Sequence, residues 1–291
     1  MDEKIKAVQR MQDYIKIHID EEIIIVDLVN ISLYSPWYTR KIFIELIGIT
    51  PADYIRKLKL RNAALSLRDE KTKVIDLAYE LGYESVDGFQ RAFYREFGCN
   101  PKEYANNPVP LKIFNPYRIE NKHKKEMGKM TSKNIFITVV ERPERKVIIK
   151  RGVKATHYFD YCNEVGCDVW GILLSMKSIA NEPVCMWLPK KYILPNTSEY
   201  VQGVEVALDY DGIIPEGFDV IKLPKSKYIM FQGEPFKEED YNEAIAEIWE
   251  AEKKYDPSVI GYMYDDSNPR IQLEPIGTRG YIKLLPIKES K

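Results

Sequence analysis

Histidine is scarce in this chain: His18, His123 and His157 are the only three, and they stand far apart. The four cysteines, Cys99, Cys162, Cys167 and Cys185, form no C-x-x-C pair. A zinc site needs clustered nitrogen and thiolate ligands, so this pattern argues against a metal centre, and no cofactor is expected. Unpatterned cysteines suit a reducing compartment. The opening MDEKIKAVQR is charged from its second residue and does not read as a secretory leader. No apolar run approaches the roughly 18 residues of a membrane span. These absences predict a soluble, cytoplasmic protein without a membrane partner. Strong net charge is missing as well, since 43 Lys+Arg meet 44 Asp+Glu. The distribution is nevertheless uneven. Residues 1–130 hold 22 Lys+Arg against 19 Asp+Glu, and the remainder holds 21 against 25. A mildly basic front and an acidic back point to different partners for the two halves.

At 291 residues and 45% hydrophobic, the chain is long enough for two domains with separate cores. The front reads helical. Apolar residues recur at helical spacing through Met1–Ile19 and Pro51–Leu67, and Val74–Leu81 and Ser85–Phe97 follow as two short helices. From Asn106 the texture changes to NNPVPLKIFNPYRI and then NKHKKEMGKM, rich in proline and then in lysine. Such composition predicts a linker. Beyond Asn134 the chain turns strand-rich, with helical patterns at Phe159–Met176 and Glu238–Lys254. The expected fold is therefore multidomain. It comprises an all-α domain over 1–107, a linker over 108–133 and an α+β domain over 134–291.

The front half repeats itself at a spacing of 50. SPWYTRKIFIELIGITPADY lies over SVDGFQRAFYREFGCNPKEY, with Ser35/Ser85, Phe43/Phe93, Gly48/Gly98, Pro51/Pro101 and Tyr54/Tyr104 identical. Five identities in a shared hydrophobic frame indicate one structural unit used twice. A short helix precedes each copy, and Ser32 and Gly82 fall where a small residue lets two helices meet steeply. Helix, turn and helix, twice over, is a geometry that seats a helix in the DNA major groove. Phe89, Phe93 and Phe97 form an i, i+4, i+8 stripe toward the core. That leaves Val86, Asp87, Gln90 and Arg91 outside in copy two, and Trp37, Arg40 and Lys41 in copy one. Arg and Gln suit bidentate contacts with base edges, and Trp and Val can meet a thymine methyl. Between Ser35 and Arg68 there are seven Lys+Arg and two Asp+Glu. Arg56, Lys57, Lys59 and Arg61 are candidates for phosphate contacts, which give affinity without reading sequence.

The block from about Ile5 to Tyr104 resembles the DNA-binding domain of the AraC/XylS family of bacterial transcription regulators. The likeness rests on the small turn residue, Y-x-S, the R-x-F core and F-G-x-x-P-x-x-Y, with a degenerate first copy. It implies two helix-turn-helix units joined by a long helix at Pro51–Leu67. Base reading would then fall to Trp37, Arg40 and Lys41, and to Val86, Asp87, Gln90 and Arg91. Asp87 departs from the neutral polar residue usual there; it accepts from a cytosine amino group or caps the helix.

A looser repeat marks the back half, where KVIIKRG resembles KYIMFQG and each precedes a tryptophan-containing helical pattern and a strand pair. Two β-α-β-β units packed side by side would leave a cleft. About Asn134–Lys288 resembles the GyrI-like effector-binding domains, and the resemblance implies a small-molecule effector, often a lipophilic cation. Aromatic walls and a buried carboxylate would suit one. The candidates are Trp170, Trp187, Tyr228, Phe231 and Tyr262, with Glu205 or Glu274 as the carboxylate. Lys283, in YIKLLP, leaves the ligand's charge open. The expectation is a ligand-responsive, non-enzymatic transcription regulator that binds promoter DNA as a monomer and works with RNA polymerase. The alternative makes the C-terminal domain a small-molecule hydrolase, with a glutamate and a tyrosine as base and acid.

Overall fold

The computed structural model describes residues 3–69, 72–119 and 134–290, and the chain divides into two compact units, residues 1–125 and 126–291. In the first unit the helices are α1 (Glu3–Ile17), α2 (Ile25–Ser32), α3 (Pro36–Ile47), α4 (Pro51–Asp69), α5 (Val74–Glu80), α6 (Val86–Phe97) and α7 (Pro101–Asn106).

All five identities of the 50-residue repeat have a local physical cause. Ser35 and Ser85 are N-caps, accepting from the Tyr38 and Gly88 backbone N–H at 3.4 and 3.1 Å. Gly48 and Gly98 close α3 and α6 in the left-handed conformation, at φ 90° and 73°. Pro51 and Pro101 then begin the next helix at its first position, where no N–H is needed, and both are buried. Phe43 meets Tyr54 edge-on at 5.4 Å between ring centroids, and Phe93 meets Tyr104 at 5.9 Å. All four rings are buried. The repeated residues are thus one corner built twice: a capped helix, a glycine stop, a proline start and an aromatic pair across the bend.

At the turns within each unit the copies part. Gly82 has φ 79°, but in the first copy the left-handed residue is Leu33, at φ 64°. Ser32 does not serve as the turn residue. It is buried and shares a 2.7 Å hydrogen bond with Thr39 Oγ1, fastening α2 to α3. The turn has shifted by one residue: Gly82 supplies its positive φ, and a Cβ there would meet only the Lys59 ammonium at 3.9 Å, whereas in the first copy Leu33 takes the left-handed conformation.

The proline-rich segment expected to be linker is packed as far as Ile119. Leu111, Ile113 and Ile119 are buried, and Phe114 stacks edge-on against Tyr54 at 5.1 Å. Gln12, buried in α1, donates to the Tyr117 carbonyl at 2.9 Å and accepts from the Ile119 N–H at 3.1 Å. Arg118 pairs with Asp13 at 2.5 Å. One amide satisfying two backbone groups makes this segment part of the helical unit. The rest of the expected linker, from residue 120 to 133, lies outside the described residues.

The second unit is a nine-stranded antiparallel sheet with helices on one face. Its elements are β1 (Ile135–Arg142), β2 (Arg145–Arg151), α8 (Tyr158–Val165), α9 (Asp168–Ser175), β3 (Val184–Trp187) and β4 (Tyr200–Val206). After these come β5 (Asp219–Leu223), β6 (Ser226–Gly233), α10 (Tyr241–Lys254), β7 (Tyr262–Tyr264), β8 (Arg270–Gln272) and β9 (Ile282–Glu289). The helix expected over Phe159–Met176 is two, parted at Gly166, whose φ of 89° interrupts the spiral. The strand order is β1-β6-β9-β8-β3-β4-β2-β5, with β7 also on β9. Elements β2 to β4 and β6 to β9 each run strand, helix, strands, and they meet where β3 pairs with β8. The leading strands are exchanged, β1 lying beside β6 and β5 beside β2. Alternation divides the core by face. Val147, Val184, Met186, Val201, Tyr228, Ile271 and Leu284 fill one face. On the other, Cys185, Trp187, Tyr200 and Val204 pack under α8 and α9, and Phe231, Tyr281 and Leu285 pack under α10.

Replacing Leu33 by Gly should raise the stability of the helical unit by about 0.5–1 kcal/mol. The side chain is 80% exposed, and a left-handed non-glycine residue costs about 1–2 kcal/mol, part of which the entropy of glycine takes back. Urea unfolding of wild type and Leu33→Gly measures the difference.

Candidate functional site

In the helical unit the candidate reading face lies on α3 and α6. Their caps fix where each helix starts and stops, and the buried Phe43, Phe89 and Phe93 fix which face turns inward. Phe97, last in the stripe, is only half-buried. Trp37, Arg40 and Lys41 are exposed on α3, with the Lys41 ammonium 5.1 Å from the centre of the Trp37 ring. On α6, Asp87 and Arg91 are exposed, while Val86 and Gln90 are half-buried. Because Ser85 caps α6, Asp87 is free of that duty; it sits in the first turn, where a carboxylate suits the helix dipole. Tyr94 and Arg95, which the sequence reading passed over, are exposed one turn further along. Their signal was available in the period of the helix.

Of the four side chains expected on phosphates, three bind carboxylates or carbonyls within the unit. Arg56 and Lys57, on α4, both bind Glu96 of α6; Arg56 does so at 3.0 Å and also reaches Asp53 at 3.3 Å. Lys59 donates to the carbonyls of Glu21 and Leu81 at 3.1 and 3.3 Å. Arg61 is half-buried on the same helix. Three of the four charges therefore hold the unit together, tying α4 to α6 and to the turns beside it.

In the second unit the expected effector residues are not brought to one place. Glu205 is fully buried and bound by two arginines, Arg145 at 2.5 Å and Arg142 at 2.8 Å. The Arg145 guanidinium also donates to the Tyr228 hydroxyl at 3.3 Å. Glu205 lies opposite Val147 in the strand register, so it and Tyr228 belong to the face away from the helices. A carboxylate whose two oxygens are held by the buried Arg145 and the half-buried Arg142 is already neutralised, so Glu205 belongs to a structural ion pair. Trp170, on α9, is buried in the core between that helix and the sheet, and Phe231 in the core beneath α10. Tyr262 stands on β7, accepting from Lys227 at 3.4 Å. Glu274 is half-buried in the loop after β8, its N–H donating to Glu182 at 3.2 Å and its carbonyl accepting from Arg279 at 2.7 Å.

Of that set Trp187 alone lines the cleft, an open space of about 900 Å³ that Glu252, Tyr255, Tyr264 and Arg270 also border. Behind it sits a group that sequence reasoning did not assemble. The Lys283 ammonium lies 4.1 Å from the centre of the Trp249 ring and 5.4 Å from that of Trp187, and it is paired with Glu252. His157 stacks on the other tryptophan, Trp249, at 5.8 Å, and Trp187 donates to the Thr156 carbonyl at 3.0 Å. Burial depresses the Lys283 pKa below the ordinary lysine range, against the opposing pull of Glu252. The sequence signal was a lysine inside the otherwise apolar run YIKLLPI.

Residues 28–107 match the family described as "Helix-turn-helix domain". The chain is 36% identical over 101 residues to the regulatory protein SoxS of Escherichia coli (strain K12), covering 35% of this chain and 94% of SoxS. It is 35% identical over 99 residues to the uncharacterized HTH-type transcriptional regulator YbfP of Bacillus subtilis (strain 168), covering 34% of each chain. Among solved structures, a probable AraC family transcriptional regulator from Rhodopseudomonas palustris CGA009 is similar at 25% identity with a TM-score of 0.33. That similarity covers 35% of this chain and 95% of that one.

Glu205→Gln should lower the stability of the second unit by about 3 kcal/mol, because it strands the buried Arg145 guanidinium, whereas Arg142, 18% exposed, keeps access to water. Thermal unfolding checks this; an unchanged midpoint would return Glu205 to the list of ligand-facing groups.

Proposed function

The chain belongs to the AraC/XylS family of helix-turn-helix transcription regulators, and from that premise we propose that it binds promoter DNA through α3 and α6. The observation that carries this reading is the pair of identically capped helices, each offering an exposed arginine beside an aromatic or polar neighbour. Trp37, Arg40 and Lys41 read one major-groove segment, and Val86, Asp87, Gln90 and Arg91 the other. Two reading helices in one chain suit successive segments about one turn, ~34 Å, apart, so a monomer serves an asymmetric site. Arg56 and Lys57 support binding by holding α4 and α6 in register, and Lys59 by tying α4 to the turns beside it, rather than by meeting phosphates.

The second unit acts in this reading as a GyrI-like effector-binding domain. The strand–helix–strand order used twice about the β3–β8 pair supports it, as does the aromatic cleft beside Trp187 and Trp249. Occupation of the cleft biases how the helical unit engages DNA or RNA polymerase, and DNA must then alter effector affinity by the same factor. A sensor accounts for the cleft better than a hydrolase does, because its lysine and glutamate are spent on each other.

The test uses DNA selected by the full-length protein from a random pool. Arg40→Ala and Arg91→Ala should each weaken binding by about 1–3 kcal/mol and relax preference at one base step, as loss of a base contact does. Gel-shift titrations at matched salt read the change. Variants that bind like wild type would overturn the assignment of α3 and α6 as reading helices.

A further inference from the structure

Behind the cleft of the second unit the sheet carries an unusual polar row. Four central strands place Gln202, Cys185, Gln272 and Lys283 opposite one another in a single row, through the pairs Gln202–Cys185, Cys185–Gln272 and Gln272–Lys283. The row crosses a sheet whose other helix-facing residues are mostly apolar or aromatic. Its two ends differ. Gln202 is fully buried, and neither its amide nitrogen nor its amide oxygen has a hydrogen-bond partner among the described residues. Such a group is costly unless something polar reaches it. Lys283, 2% exposed, does have a partner, Glu252.

Glu252 is the replaceable member of that pair. It stands in the last turn of α10, whose carbonyl end disfavours a carboxylate. Its side chain is 18% exposed and borders the cleft, whereas the Lys283 side chain is buried behind it. The surroundings carry positive charge beyond what Glu252 cancels. Arg270 also borders the cleft, its guanidinium 5.5 Å from the centre of the Trp187 ring, and its charge bears on Lys283. Further along the lining stand Lys190 and Lys191 with Glu199, Asp265 and Asp266, and Lys253, paired with Glu250 at 2.8 Å, also bears on Lys283. Two cations, one carboxylate and two indoles therefore meet at one point. A lipophilic cation brought there would face Lys283 and Arg270, and the carboxylate at that point, Glu252, is already paired with Lys283. An anion would find both cations and displace only a carboxylate already at the unfavourable end of its helix.

We propose that the cleft binds an anionic aromatic molecule, a carboxylate on a flat ring system, which takes the place of the Glu252 carboxylate on Lys283. The ring lies against Trp187 and Trp249, and Arg270 closes over the bound anion from the rim. This assignment rests on the reading of the second unit as an effector-binding domain and departs from the cation that its resemblance implied. Release of Glu252 also supplies a signal, because the end of α10 loses its tie to β9 when the ligand arrives.

The test is isothermal titration calorimetry on the full-length protein with three probes: naphthalene-1-carboxylate, its neutral carboxamide and tetraphenylphosphonium. Saturable binding is expected for the carboxylate, at least tenfold weaker binding for the carboxamide, and none for the phosphonium at the same concentrations. Lys283→Met should weaken the carboxylate at least tenfold and leave the carboxamide unchanged. Glu252→Gln should tighten the carboxylate several-fold, since it removes the internal competitor. This second variant works in the opposite direction, so it decides the matter if Lys283→Met does not fold. Binding of the phosphonium in place of the carboxylate would overturn the proposed charge and leave an effector domain standing. Saturable binding of none of the three would overturn both. Carboxylate binding that neither variant alters would place the anion elsewhere and sink the role of Lys283.

Discussion

The contact on which the helical unit depends is the aromatic pair across each corner, Phe43 with Tyr54 and Phe93 with Tyr104. Each pair sets the angle at which a reading helix leaves the glycine stop and the following helix begins at proline. Without it the caps would define helix lengths but not their directions. Buried rings of this size are the largest apolar contribution a short helix can make. Burial also holds both tyrosine hydroxyls at a pKa of about 12, so they stay neutral through the physiological range. The two corners differ in support. The Tyr54 hydroxyl receives a hydrogen bond from Gln12, whose amide also ties down the segment around Tyr117, so the first corner is braced by α1 and by the chain leaving the unit.

Charge in this protein serves structure more often than its surface pattern suggests. Arg56 and Lys57 meet Glu96, Lys59 serves two carbonyls, and Arg142 and Arg145 enclose Glu205. A basic stretch in sequence marks a phosphate-binding strip only if no carboxylate comes near it in space. Glu96 lies some forty residues from Arg56 and reaches it only after α4 and α6 pack. The exposed Arg40 and Arg91 are different: they stand on outer helix faces, and their helical period could be read directly.

The second unit shows how one rule of strand geometry governs chemistry. Neighbouring residues in a strand face opposite sides, so Glu205 in GVEVAL and Trp187 in VCMW cannot share a cleft once the register is set. The same rule brings Lys283, from a strand almost a hundred residues later, to the side of Trp187. The carboxylate that meets the cleft there is therefore Glu252 rather than Glu205, and it is paired with the lysine behind it.

By itself the sequence determined what is local and repeated. That includes the helical front and strand-rich back, the 50-residue repeat and the outer faces of α3 and α6. These follow from nearest-neighbour sterics and from periods of 3.6 and 2, which need no knowledge of distant contacts. Only the tertiary structure decided which turn residue would be left-handed, how far the proline-rich segment belongs to the helical unit, and which charges are spent internally. It alone placed Glu205 away from the cleft and Lys283 against two indoles, because strand order and register pair residues far apart in the chain. Periodicity shows that a residue faces inward, but the pairing of strands decides what it meets there.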